Sequence, residues 1–155
     1  MKKPAALRKE LVDLIHEAIN QHELARDFYH KMAHLATKPE TREIFEFLER
    51  DAEENKARLR QCLTPEGCPV VPPAHDAHLA EHLKTPPITP DLSPKDALAL
   101  AIKRSEALVR FYQTLAELQT PGEIRSRLEY LAKAELSHKE KLEYLYDNVA
   151  FPEVW

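Results

Sequence analysis

The sequence predicts an all-α chain folded as a four-helix bundle, two helical hairpins joined by one long proline-rich crossover between helices 2 and 3. Three observations carry that prediction. Apolar residues recur at helical spacing through both halves of the chain. Eight of the twelve prolines lie between Pro65 and Pro94. The two halves also repeat each other: shifted by 83 positions, residues 18–59 match 101–142 at fourteen places without a gap.

The first helix is expected over "PAALRKELVDLIHEAINQHELARDFYHKMAHLA", with Pro4 in its opening turn and Leu11, Leu14, Ile15, Ala18, Ala25, Tyr29 and Met32 as its apolar stripe. Thr37-Lys38-Pro39-Glu40 has the spacing of a capping box and opens a second helix, running to about Cys62. Ser93 is placed as N-cap of the third, with Pro94 at its first position. Thr120-Pro121-Gly122-Glu123 repeats the capping box and opens a fourth helix to about Asn148. Hairpin 1 thus spans about 5–62, the crossover 63–93, hairpin 2 94–148 and a tail 149–155, in a single domain.

Helices of about 25 residues are roughly 40 Å long. A crossover of some thirty residues can run that whole length and set helices 2 and 3 parallel. Within it, "HDAHLAEHL" is expected as one short helix, roughly His75 to Leu83, which would align His75, His78 and His82 on one face, packing Leu79 and Leu83 on the bundle.

Composition limits the function. The 155 residues are 43% hydrophobic and 31% charged with net charge −4. Both signs are interspersed, so neither nucleic acid nor an anionic membrane is an expected partner. Charges interrupt every apolar run, so neither a membrane span nor a signal peptide is expected, and the cytoplasm is the default location. Cys62 and Cys68 are too few for a disulfide framework and read as two reduced thiols, with a labile disulfide or half of a metal site as alternatives.

Among the polar residues, Glu135 and His138 fall into the apolar stripe of Leu128, Leu131, Leu142 and Leu145. Buried ionisable groups are costly without partners. Positions 22 and 105 line up with Ala18, Ala25 and Tyr29 and with Ala101, Leu108 and Tyr112, so His22 and Ser105 point inward. Asn55 shares the stripe of Ile44, Leu48, Ala52 and Leu59. Glu23 and Glu106, one position away on polar stripes, read as solvated. Asp51 and Glu54 lie one position off the stripe of helix 2, and His30 and His34 on an exposed one.

"AINQHELARDFYHKMA" with "LERDAEENKARL", and "AIKRSEALVRFYQTLA" with "LAKAELSHKEKL", together resemble the rubrerythrin-type branch of the ferritin-like superfamily over nearly the whole chain. The resemblance implies a ferritin-like four-helix bundle and two iron ions acting on peroxide or oxygen. It also implies ligands: a Glu six residues before each Phe-Tyr pair, and Glu-x-x-His on helices 2 and 4. Those positions here hold His22, Ser105, Ala52 with Asn55, and Glu135 with His138. Only the last pair keeps the family's residues. Cys-x-x-Cys is absent, and with it the rubredoxin-like domain.

Three readings follow. In the first, His22, Asn55, Ser105, Tyr29 and Tyr112 satisfy Glu135 and His138 in a non-catalytic or structural bundle without metal. Alternatively His22, Glu135 and His138 hold one iron or zinc ion. The third is a di-iron oxidoreductase with an incomplete ligand set. A homodimer is expected from the resemblance alone, and the tail residues Phe151, Val154 and Trp155 are expected at the bundle end or a subunit contact.

Overall fold

The computed structural model describes residues 5–150, with side chains over 9–149. Pro4 and the tail residues Phe151, Val154 and Trp155 lie outside the described residues. Four helices account for most of the chain: α1 Ala5–Leu35, α2 Pro39–Gln61, α3 Pro94–Glu117 and α4 Glu123–Ala150. The hairpins α1–α2 and α3–α4 pack along their lengths, and they meet through α2 with α3 and α1 with α4.

The crossover can be followed by its contacts with α4. The Tyr130 hydroxyl donates to the Pro69 carbonyl at 2.7 Å. Further along, Glu140 accepts from His75 N, and Glu143 from Ala77 N and Leu79 N. The chain then reaches the start of α2, where Thr41 Oγ1 donates to the Leu92 carbonyl at 2.6 Å. Having climbed α4 to the beginning of α2, it enters α3 at that same end, so α2 and α3 run parallel.

Helix ends follow simple rules, with two departures from expectation. Ser93 caps α3, accepting from Asp96 N at 3.1 Å. Thr37 does not cap α2. The cap position is Lys38, with no side-chain bond, because Pro39 opens the helix one residue later than a capping box requires. Thr37 instead donates to Asp91 Oδ1 at 2.8 Å, tying the crossover down. Thr120 is likewise too early: the Gly122 carbonyl receives the first helical bond, from Ser126 N.

The expected helix from His75 to Leu83 is only a turn of 3-10 helix, Leu79–Glu81. The Leu79 N–H, which such a helix would send to the His75 carbonyl, goes instead to Glu143 of α4, and carboxylates of α4 also take the N–H groups of His75 and Ala77. His78 adopts a left-handed φ of 56°. His75, His78 and His82 therefore share no helical face.

Cys62 and Cys68 are bonded to each other, not reduced thiols. The bond closes a small loop where α2 hands over to the crossover, and Arg127 contacts the Cys68 sulfur. A sequence separation of six corresponds to about 2 kcal/mol by loop entropy. Reduction should lower stability in urea by about that much, and Cys62→Ser with Cys68→Ser should reproduce the loss without reductant.

The apolar core has two parts. One gathers Tyr29, Phe45, Leu48, Leu98, Ile102 and Leu142; the other gathers Ile15, Ala18, Leu59, Tyr112, Leu128 and Leu131. Between them every helix contributes a buried polar residue: His22 from α1, Asn55 from α2, Ser105 from α3 and Glu135 from α4.

Candidate metal centre

That polar layer is built by the helical periods themselves. His22 falls between Ala18 and Ala25, and Asn55 between Ala52 and Leu59. Ser105 falls between Ile102 and Val109, and Glu135 after Leu131, all on buried faces. Glu135 is 3% exposed. His22 Nε2 lies 3.5 Å from its Oε1. Oε2 has no hydrogen-bond partner. Burial lowers the pKa of His22, more than the Glu135 charge raises it, so its imidazole is neutral near pH 7.

His138 belongs to a different pairing. Its Nδ1 lies 2.8 Å from Asp51 Oδ2, an ion pair without a straight hydrogen bond. Asn55 Nδ2 is 3.4 Å from the same nitrogen, while the Asn55 amide oxygen accepts from Arg58 at 2.8 Å. The shorter carboxylate contact decides the state of the ring, and Nδ1 carries a proton toward Asp51. Burial works against that charge, but the bond to Asp51 and the Glu135 and Asp51 charges raise the His138 pKa. Asp51 is in turn pushed up by burial, yet His138 and Lys141, whose Nζ is 2.8 Å from Oδ1, hold it down at about 2.

Asp51 corrects the sequence reading, which left it off the stripe. It is 3% exposed. Three residues beyond Leu48, it lies within a buried face wider than one row of positions. The signal was available in Lys141 and His138, a cation pair three apart on the helix opposite. Glu54, by contrast, is exposed and pairs loosely with Arg58.

Glu106 is the second correction. Its side chain is only 17% exposed and contacts Lys139 at 2.8 Å, and Lys139 is fully buried among Glu106, Asp76 and Glu143. Glu23 makes the equivalent contact to Lys56 and is half open to water. Both pairs are repeat partners at the 83-residue shift, so matched Glu and Lys in the two halves were the signal for them. His30 and His34 are exposed, His30 Nδ1 lying 3.0 Å from Glu49. Tyr29 and Tyr112 are buried close to the layer; burial pushes Tyr29 up to about 12 and raises Tyr112.

The layer opens on a cavity of about 700 Å³ between α2 and α4, with Pro69 to Pro72 along its mouth. Glu135, His22, Asp51 and His138 all line it.

The sequence model of the family Rubrerythrin matches residues 13–146. This chain belongs to the rubrerythrin family. No curated protein and no solved structure matches it. Rubrerythrin-family proteins normally bind iron, so the donor set bears directly on chemistry. Among the described residues of this family member, no three His, Cys, Asp or Glu side chains group closely enough to hold a metal ion. His22 and Glu135 adjoin, but His138 Nδ1 is turned to Asp51. The layer's two carboxylates are Asp51, already paired twice, and Glu135. Two divalent cations would be poorly neutralised by that set. Likewise, no described helix is long and apolar enough to cross a membrane.

Proposed function

We propose that this rubrerythrin-family protein is a non-catalytic bundle whose central layer is held by its own ion pairs in place of iron. The observation that supports this most directly is Asp51, gripped by His138 and Lys141 at 2.8 Å each. Asp51 thereby takes Nδ1 of His138 and leaves that ring at most Nε2 to offer, and the ligand positions 52 and 105 carry Ala52 and Ser105, neither a strong iron ligand. The alternative of one iron or zinc ion on His22, Glu135 and His138 draws its support from Glu135 Oε2, a buried acceptor without a donor.

Metal analysis by mass spectrometry, on protein purified without chelators or a histidine tag, separates the two. The expected result is no stoichiometric metal, before or after reconstitution with ferrous iron and with zinc. Glu135→Leu then removes a buried oxygen that lacks a partner, and should raise stability by about 1–3 kcal/mol in urea. One equivalent of metal, lost in Glu135→Leu, would establish the mononuclear site instead. Two equivalents of iron would establish the di-iron centre.

A further inference from the structure

The cavity beside the layer has the size of a small-molecule site. Its walls are mostly apolar or aromatic, including Leu59, Val71, Leu131, Tyr112 and Tyr130. The charged groups that line it are nearly all spoken for. Arg58 donates to Asn55, Lys141 and His138 hold Asp51, and Glu140 accepts from His75 N. Glu135 is the exception. It is 97% out of water, lines the cavity, and leaves Oε2 without a donor. A neutral amide or hydroxyl without a partner is already costly in such a place, and a carboxylate oxygen more so.

We propose that the cavity binds a small organic molecule with a protonated amine on an aromatic or aliphatic body, its ammonium donating to the Glu135 carboxylate. The sign follows from Glu135 itself: Lys141 and His138 hold Asp51, whereas the buried Glu135 carboxylate has a neutral imidazole nitrogen 3.5 Å from Oε1. An anionic head placed beside Glu135 would meet a carboxylate of its own sign. The apolar body would lie along Leu131 and Leu59, with the Tyr112 and Tyr130 rings flanking the amine's approach. This inference rests on the metal-free reading of the same layer.

Tryptamine is a suitable probe, with tryptophol and indole-3-propionate as neutral and anionic counterparts of similar shape. Isothermal titration at pH 7 should show saturable tryptamine binding, with both counterparts at least tenfold weaker. Glu135→Gln should weaken tryptamine at least tenfold. Ser137→Phe, which fills the cavity and leaves Glu135 in place, should abolish binding while far-ultraviolet circular dichroism stays unchanged. Glu140→Gln, at the rim, should bind as the wild type does. Equal or tighter binding of the alcohol or the acid would overturn the proposal, as would no tryptamine binding, or binding that survives Ser137→Phe. Metal content of the same preparation separates the two layers of argument. Metal on Glu135 would defeat both, whereas a metal-free protein that ignores tryptamine would defeat the amine alone.

Discussion

Lys139→Met should destabilise the bundle by about 3–5 kcal/mol, read from urea denaturation at neutral pH. The lysine is fully buried, with Nζ 2.5 Å from Asp76, 2.8 Å from Glu106 and 3.6 Å from Glu143. Its removal leaves Glu143, itself 3% exposed, with only the two crossover N–H groups for company. The crossover would loosen too, because Asp76 and Glu143 are two of the points where it is fastened to α4. Lys56→Met is the internal control. Lys56 is also buried, but its carboxylates Glu23 and Glu53 are 37% and 47% exposed and can turn to water. That loss should be about 1 kcal/mol. Equal losses at the two positions would show that burial of the partner carboxylates does not set the cost. Adding Glu143→Gln to Lys139→Met should recover part of the stability, since it removes one stranded charge.

Asp51→Ala should cost about 3 kcal/mol, toward the lower end for a buried pair because Lys141 is 46% exposed and can turn to solvent. The same variant should change how stability depends on pH. Asp51 has a lowered pKa, so its contribution is present above the ordinary 3.8 and fades as pH falls toward about 2. His138 has a raised pKa, so its contribution is full below the ordinary 6.5 and is lost as pH rises through the folded value. The pair is therefore worth most between about pH 4 and pH 6.5. His22 runs the other way: with its pKa lowered, its contribution is present above 6.5 and is lost as pH falls through the folded value. Whole-protein stability mixes these opposite trends, so the direct reading is histidine titration by nuclear magnetic resonance. His138 should titrate above 6.5 and His22 below it, and Asp51→Ala should bring His138 down while leaving the direction at His22 unchanged. A His138 that titrates below 6.5 in the wild type would break the assignment of its proton to the Asp51 side.

The pairing also changes which apolar replacement is harmless. From sequence, Glu135 and His138 look like one unit to be exchanged together. In the structure His138 answers to Asp51 and Glu135 faces His22, so exchanging His138 strands Asp51, whereas exchanging Glu135 alone strands nothing charged.

Much of the architecture was legible because local rules dictate it. Proline clusters bound the hairpins, Ser93 starts α3, and apolar spacing assigns the inward faces of His22, Asn55, Ser105 and Glu135. The misreadings share a different cause. Thr37, His75 to Leu83, Asp51 and Glu106 all take their partners from elements distant in the chain, namely Asp91, Glu140 and Glu143, His138 and Lys139. A sequence pattern states which groups want partners. Which element supplies them depends on how helices and crossover pack against one another, and the period of a single helix carries no information about that.

The repeat gives this docking a consequence for charge. Contacts inside a hairpin, Glu23 with Lys56 and Glu106 with Lys139, occur once in each half. Contacts between hairpins, His22 with Glu135 and Asp51 with His138, occur once only, and the positions equivalent to them hold Ser105, Ala52, Ala134 and Asn55. A symmetric dimer of identical hairpins would have to make every cross-contact twice, because each surface patch meets its own copy. Fusing the copies into one chain lifts that obligation. The interior can then carry half as many ions as symmetry would impose, and the two faces of the interface are free to become chemically unlike each other.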